Sequence, residues 1–182
     1  MSALVLSAAP RSALRGRTAD AVLGVLLAAG ALDAVGPRPA LLGLLWLAAI
    51  TPRLAAIDIA EHRLPDRLVL PAWPVALAAA LLEAAAGGTP LLVAAGIAVG
   101  YGSLLLVLHL AGGMGLGDVK LAPVLGLAAA AASPTAGIGA PLLAFLVGGV
   151  IALVALIRQG AGASVPFGPA MLLGAWAAVL LA

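Results

Sequence analysis

Two carboxylates stand out from an apolar background. Asp58 lies in Ile57-Asp58-Ile59-Ala60-Glu61-His62-Arg63-Leu64-Pro65-Asp66, and Asp118 lies in Gly113-Met114-Gly115-Leu116-Gly117-Asp118-Val119-Lys120. Only 9% of the 182 residues are charged, so an acid where an apolar segment meets water is seldom incidental. Two carboxylates within a few Å of each other cannot both ionise easily, and such a pair holds one proton between them. The ionised partner then takes a proton from a bound water, while the protonated partner polarises a carbonyl. That is general acid–base hydrolysis with no covalent intermediate, and its titration belongs to the pair rather than to either residue. Competing chemistries lack residues. There is no cysteine, which removes a disulfide framework, a thiol nucleophile and a cysteine-type zinc site. The two histidines, His62 and His109, are too few for a metal centre. No metal and no organic cofactor is expected, since water is the only second reactant.

The elements that must position these acids follow from composition. The chain is 64% hydrophobic with a mean hydropathy of +1.24, against about 45–50% apolar residues in ordinary soluble domains. Its solvent must be lipid, and the α-helix is the only open-ended way to cross lipid. The expected fold is an all-α, polytopic transmembrane bundle. A span needs about 20 mostly apolar residues, and seven segments qualify: 19–36, 39–57, 67–86, 89–110, 119–133, 136–157 and 165–182. The fifth is short and the first carries Asp33 near its end, so about seven spans are expected within a range of six to eight. Residues 1–18 read as a cytoplasmic tail or surface-lying helix, and 19–182 as one transmembrane domain. A secretory signal peptide fits poorly, because Arg11, Arg15 and Arg17 follow the short apolar start instead of preceding it. Gly36-Pro37-Arg38-Pro39, Gly87-Gly88-Thr89-Pro90 and Ser133-Pro134 are turn clusters. Gly96 and Gly100 form a small-xxx-small step suited to close helix packing.

The net charge of +2 implies no nucleic-acid partner, and the basic residues read as topology markers. With the N-terminus inside, Arg11, Arg15, Arg17, Arg63, Arg67, Lys120 and Arg158 all fall in cytoplasmic segments. Arg53 lies within about one turn of the cytoplasmic end of its helix, and only Arg38 falls outside. This topology puts the Asp58 and Asp118 loops on the same, cytoplasmic face.

Around Asp118, Gly112, Gly113, Gly115 and Gly117 permit backbone conformations closed to other residues and let a substrate strand approach. A helix opening at Asp118 brings a dipole that favours a carboxylate. Pro65 ends the loop after Asp58, and Asp66 reads as an N-cap. Blander roles stand beside these: a helix cap for Asp118, with Lys120 snorkelling to the surface, and a helix-end ion pair with Arg53 or Arg63 for Asp58. Lys120 serves equally as a cytoplasmic anchor, a tuner of the acid pair or a substrate contact. Glu61, His62 and Arg63 read as a solvated loop face. Phe167 reads as packing, Trp46, Trp73 and Trp176 as interface or packing residues, and His109 as a boundary residue. Asp20, Asp33 and Glu83 are near helix ends and need no role.

Three stretches resemble the prepilin peptidases, the type IV leader peptidase family of membrane aspartic proteases. They are Ile57-Asp58 with Pro65-Asp66 seven residues on, Gly115-Leu116-Gly117-Asp118-Val119-Lys120-Leu121, similar to a GxGDxK segment, and Val165-Pro166-Phe167-Gly168-Pro169, similar to a last-helix motif. The resemblance implies that Asp58 and Asp118 are the catalytic pair, with Gly115, Gly117, Lys120, Pro65 and Asp66 as supporting or substrate-binding residues. It implies cleavage of the basic leader of a prepilin or pseudopilin after a glycine, at the cytoplasmic face of a bacterial inner membrane. The substrate's apolar helix would enter laterally from the lipid. Longer members carry a cysteine-containing cytoplasmic region and also N-methylate the new N-terminus. With no cysteine and no room for that region before residue 40, a peptidase-only form is expected here and methylation is not.

Two alternatives are distinguishable. A presenilin-like protease shares the GxGD aspartate, but that group has a Tyr-Asp step within a helix and a Pro-Ala-Leu motif, whereas this chain has Ile57-Asp58 at a loop mouth and no Pro-Ala-Leu. A small proton-coupled carrier would place its acids near mid-membrane with repeat symmetry. Here the acids gather at one face and no repeat is visible.

Overall fold

The computed structural model describes residues 11–160 and 165–182. Among them the chain forms eight helices and no strand: α1 (Arg11–Val35), α2 (Ala40–Glu61), α3 (Asp66–Val69), α4 (Ala72–Ala85), α5 (Leu91–Leu110), α6 (Leu116–Ala132), α7 (Pro134–Gln159) and α8 (Gly168–Leu181). The all-helical expectation holds. Five stretches are long and apolar enough to cross a membrane: Gly16–Val35, Ala40–Glu61, Asp66–Ala85, Leu91–Leu110 and Pro134–Arg158. α3 and α4 together make the third. They are separated at Leu70-Pro71 because Pro71 has no N–H to continue the helical ladder.

Boundaries depart from the sequence reading in instructive places. Residues 11–18 of the expected tail belong to α1, and residues 1–10 lie outside the described residues. The short fifth span begins earlier, at Leu116, and is the most enclosed helix of the bundle: Val124 through Ala132 is buried without a break. It packs against α2, α3, α4, α5, α7 and α8. A helix walled by other helices does not need the full length of one facing lipid, so α6 is short while being central. α1 is the opposite case, with Val22, Val25 and Leu26 each more than half exposed.

Close approaches are made by small residues, though not the pair expected. Nothing lies near Gly96 or Gly100, which face outward. Instead Gly102 of α5 admits Pro123 of α6, and Gly126 of α6 sits against Ala98. The α5–α6 pair is thus locked from the face opposite to the one the sequence pattern suggested.

The two ends of the bundle carry different polar clusters. At one end, Arg38 between α1 and α2 bonds Glu83 Oε1 of α4 (3.2 Å), the Ala132 carbonyl of α6 (3.0 Å) and the Val35 carbonyl (2.9 Å). Glu83 Oε2 accepts from the Ala40 backbone N–H at 2.9 Å. Glu83 is 1% exposed, so the expectation that it needs no role is overturned: it joins the ends of α1, α2, α4 and α6. The other end carries the two aspartates.

Candidate active site

Asp58 sits inside the last turn of α2, which continues to Glu61. This corrects the expected loop position: nothing in Ile59-Ala60-Glu61 opposes a helix, and the chain turns only at His62, whose φ of 51° is left-handed. The His62 N–H closes the turn on the Asp58 carbonyl at 2.9 Å. Asp58 is 5% exposed. Its Oδ2 accepts from the backbone N–H of Gly168, the first residue of α8, at 3.0 Å. A Cβ on Gly168 would stand 2.7 Å from that oxygen, so a glycine is required for the approach. Neither Arg53 nor Arg63 pairs with Asp58; Arg63 bonds Glu61 at 2.6 Å. The ring of His62 acts electrostatically on Asp58.

Asp118 is the third residue of α6, 8% exposed. Its Oδ2 accepts from the backbone N–H of Gly115, the N-cap residue, at 3.3 Å. This is the returning half of a capping box; Gly115 has no side chain to supply the other half. The neighbouring glycines meet the conformational expectation at one position and differ from it at others. Only Gly112 has a positive φ, +84°. Gly115 has an ordinary extended φ of −73°, and Gly117 is needed because a Cβ there would stand 3.0 Å from Leu64 Cβ in the α2–α3 connection.

The two acids come together. Asp58, His62, Gly112, Gly113, Met114, Gly115, Asp118, Val165, Pro166 and Phe167 line one cavity of about 270 Å³, and the Asp58 charge acts on Asp118. Among the described residues no cation bonds either carboxylate and no protein group bonds Oδ1 of either. A pair so arranged can hold one proton and bind a water. Nor does any group of acids and histidines there form a metal site among the described residues.

The remaining expected residues lie beside the cavity rather than in it. Asp66 is not an N-cap: Pro65 holds that position without a side-chain bond, and the Asp66 carboxylate takes Lys120 Nζ at 2.8 and 2.9 Å. This exposed pair ties α3 to α6 and accounts for Lys120, whose backbone carbonyl also accepts Trp73 Nε1 at 3.2 Å. Phe167 does both jobs, lining the cavity while packing on Gly148 and stacking obliquely with Phe145 at 5.3 Å. Sequence reasoning missed Gly168 as a donor. It also missed Tyr101 of α5, whose buried hydroxyl has no partner among the described residues and lies within the electrostatic reach of Asp118.

Residues 40–157 match the model of the type IV leader peptidase family. The chain belongs to that family. The match runs from the start of α2 nearly to the end of α7, so it takes in both aspartates and Glu83, but not Arg38, the cation that Glu83 holds. It leaves α8, and with it the Gly168 donor, beyond its edge. No curated protein and no solved structure matches the chain. Membership makes this leader-peptidase-family protein a protease held in a bundle of membrane-length helices. The presenilin comparison loses one of its contrasts, because Asp58 is helical here too; Ile57 in place of tyrosine and the lack of Pro-Ala-Leu remain.

Proposed function

We propose that this protein is an aspartic endopeptidase that removes the basic leader of a type IV prepilin or pseudopilin, with Asp58 and Asp118 as the acid–base pair. The observation that carries the reading is one cavity holding two buried carboxylates from α2 and α6, each with a single backbone donor and no cation among the described residues. The ionised member of the pair takes a proton from a water seated between the free oxygens. The other donates to the scissile carbonyl, and the proton passes on to the leaving amine as the tetrahedral species collapses. Among the supporting residues, Gly115 lines the cavity and donates to Asp118, while Gly117, Pro65, Asp66 and Lys120 act from outside it, Gly117 by admitting Leu64 and the others by fixing α3 against α6.

The excess of basic residues at the active-site end supports a topology with the N-terminus and the cavity on the cytoplasmic side of a bacterial inner membrane. There a substrate with a Lys/Arg leader and an apolar helix would slide in from the lipid and present its junction to the pair. With no cysteine in the chain, N-methylation is not part of this proposal.

The test is cleavage of a co-expressed prepilin, read as a mass shift on a gel, by wild type, Asp58→Asn and Asp118→Asn. Cutting by wild type alone, with both variants accumulating in the membrane, supports the pair. Variants that cut like wild type would sink it.

A further inference from the structure

We propose that His109 is a positioning residue for Asp118, acting through the single peptide group that joins Met114 to Gly115. The inference rests on the reading of Asp118 as one of the acid–base pair.

The geometry begins at the end of α5. The Gly112 N–H bonds the His109 carbonyl at 2.8 Å and the Gly113 N–H bonds the Leu108 carbonyl at 2.9 Å. With Gly112 at φ +84°, this is a Schellman closure. The closure fixes where the chain leaves the helix, not how the next peptides tilt. Met114 packs its side chain on the core, but glycine stands on both sides of it, so the planes of its flanking peptides are free to rotate.

One of those planes is held. The Met114 carbonyl oxygen lies 2.8 Å from Nδ1 of the half-buried His109 ring. A carbonyl only accepts, so Nδ1 carries the proton in this contact, whether the ring is neutral or charged. The N–H of the same peptide group, on Gly115, donates to Asp118 Oδ2 at 3.3 Å. Because the peptide is planar and trans, fixing its oxygen fixes the direction of its N–H. A donor on the oxygen also polarises the amide and strengthens its N–H as a donor. His109 therefore aims and strengthens the one backbone hydrogen bond that Asp118 receives, without touching the cavity itself. At 3.3 Å that bond is at the long end of the useful range, where a small tilt of the peptide breaks it.

The test uses the whole protein purified in detergent and a purified prepilin with a Lys/Arg leader, comparing wild type, His109→Leu, His109→Asn and Asp118→Asn. Leucine removes the donor. Asparagine keeps an N–H close to the position of Nδ1. His109→Gln, which moves its amide toward the position of Nε2, is the second donor-displaced variant should leucine not fold. The expected result is a kcat about three- to tenfold lower for His109→Leu, the size of one neutral hydrogen bond, with KM and melting temperature little changed. His109→Asn should recover to within about twofold of wild type, and His109→Gln should resemble leucine. A wild-type kcat for His109→Leu overturns the inference. So does an asparagine variant no better than leucine, which would reduce the ring to packing. An Asp118→Asn variant that cuts normally would instead remove the reading of Asp118 beneath it, a failure separately visible in the same assay.

Discussion

The bundle buries carboxylates at both ends and treats them in opposite ways. Glu83 has both oxygens occupied, Oε1 by the Arg38 guanidinium and Oε2 by the Ala40 N–H, and it neutralises the one strong cation beside it. Among the described residues, Asp58 and Asp118 each have one oxygen held by one backbone N–H, no cation, and each other's charge close by. The first arrangement is closed on the acid: both Glu83 oxygens are answered, and the cluster binds four helix ends together. The second leaves capacity unused and faces a cavity. A buried acid with its valences filled is a fastening, whereas one left half-filled against a like charge costs stability and retains the ability to exchange a proton.

The comparison is broken most sharply by removing the charge at each end. Asp58→Asn or Asp118→Asn should lower prepilin cleavage by about 10²- to 10⁴-fold, with no fall in the melting temperature of the detergent-solubilised protein. Glu83→Gln should do the reverse. It should cost about 1–3 kcal/mol of stability, because Arg38 keeps only its carbonyl partners, while activity per folded molecule stays the same. A large activity loss in Glu83→Gln with normal melting would show that the two ends are coupled, and the contrast would fail. Gly168→Ala tests whether Asp58 tolerates a shift: the new Cβ must displace Oδ2. A cost of about 1–2 kcal/mol and a several-fold drop in kcat are expected, read by thermal melting and initial rates.

Tyr101 sharpens the contrast from within the active-site end. Its buried hydroxyl has no partner among the described residues, so Tyr101→Phe should leave stability unchanged or raise it by up to about 1 kcal/mol. Destabilisation on chemical unfolding would mean that the hydroxyl has a partner after all. The smallest effect is expected at the exposed Asp66–Lys120 pair, where Lys120→Ala should cost no more than about 0.5 kcal/mol.

Much of this was legible in the sequence, and the failures share a cause. The apolar lengths and Gly/Pro breaks locate the helices because both are local properties. The two aspartates were conspicuous for being acids in an apolar chain. What could not be read were contacts between distant residues. Lys120 meets Asp66 from 54 positions away, Arg38 meets Glu83 from 45, and Gly168 meets Asp58 from 110. Asp66 read as a cap and Glu83 as idle because their partners are invisible in a window of ten residues. Of the glycines near Asp118, Gly112 has the positive φ that was expected, whereas Gly117 is small to admit Leu64 and not to adopt an unusual φ. The fifth span read as short because about 20 residues are needed to cross lipid, and α6 meets mostly protein.

The bond from Gly168 to Asp58 also has a meaning in time. The donor follows its acceptor by 110 residues, which at about 5–20 residues per second takes the ribosome on the order of ten seconds. Throughout that interval α2 can already be inserted and folded, yet Asp58 lacks the Gly168 donor. The nascent chain thus passes through a stage in which the aspartate is present but not yet set in place, and under its proposed role the site is complete only once α8 has been made.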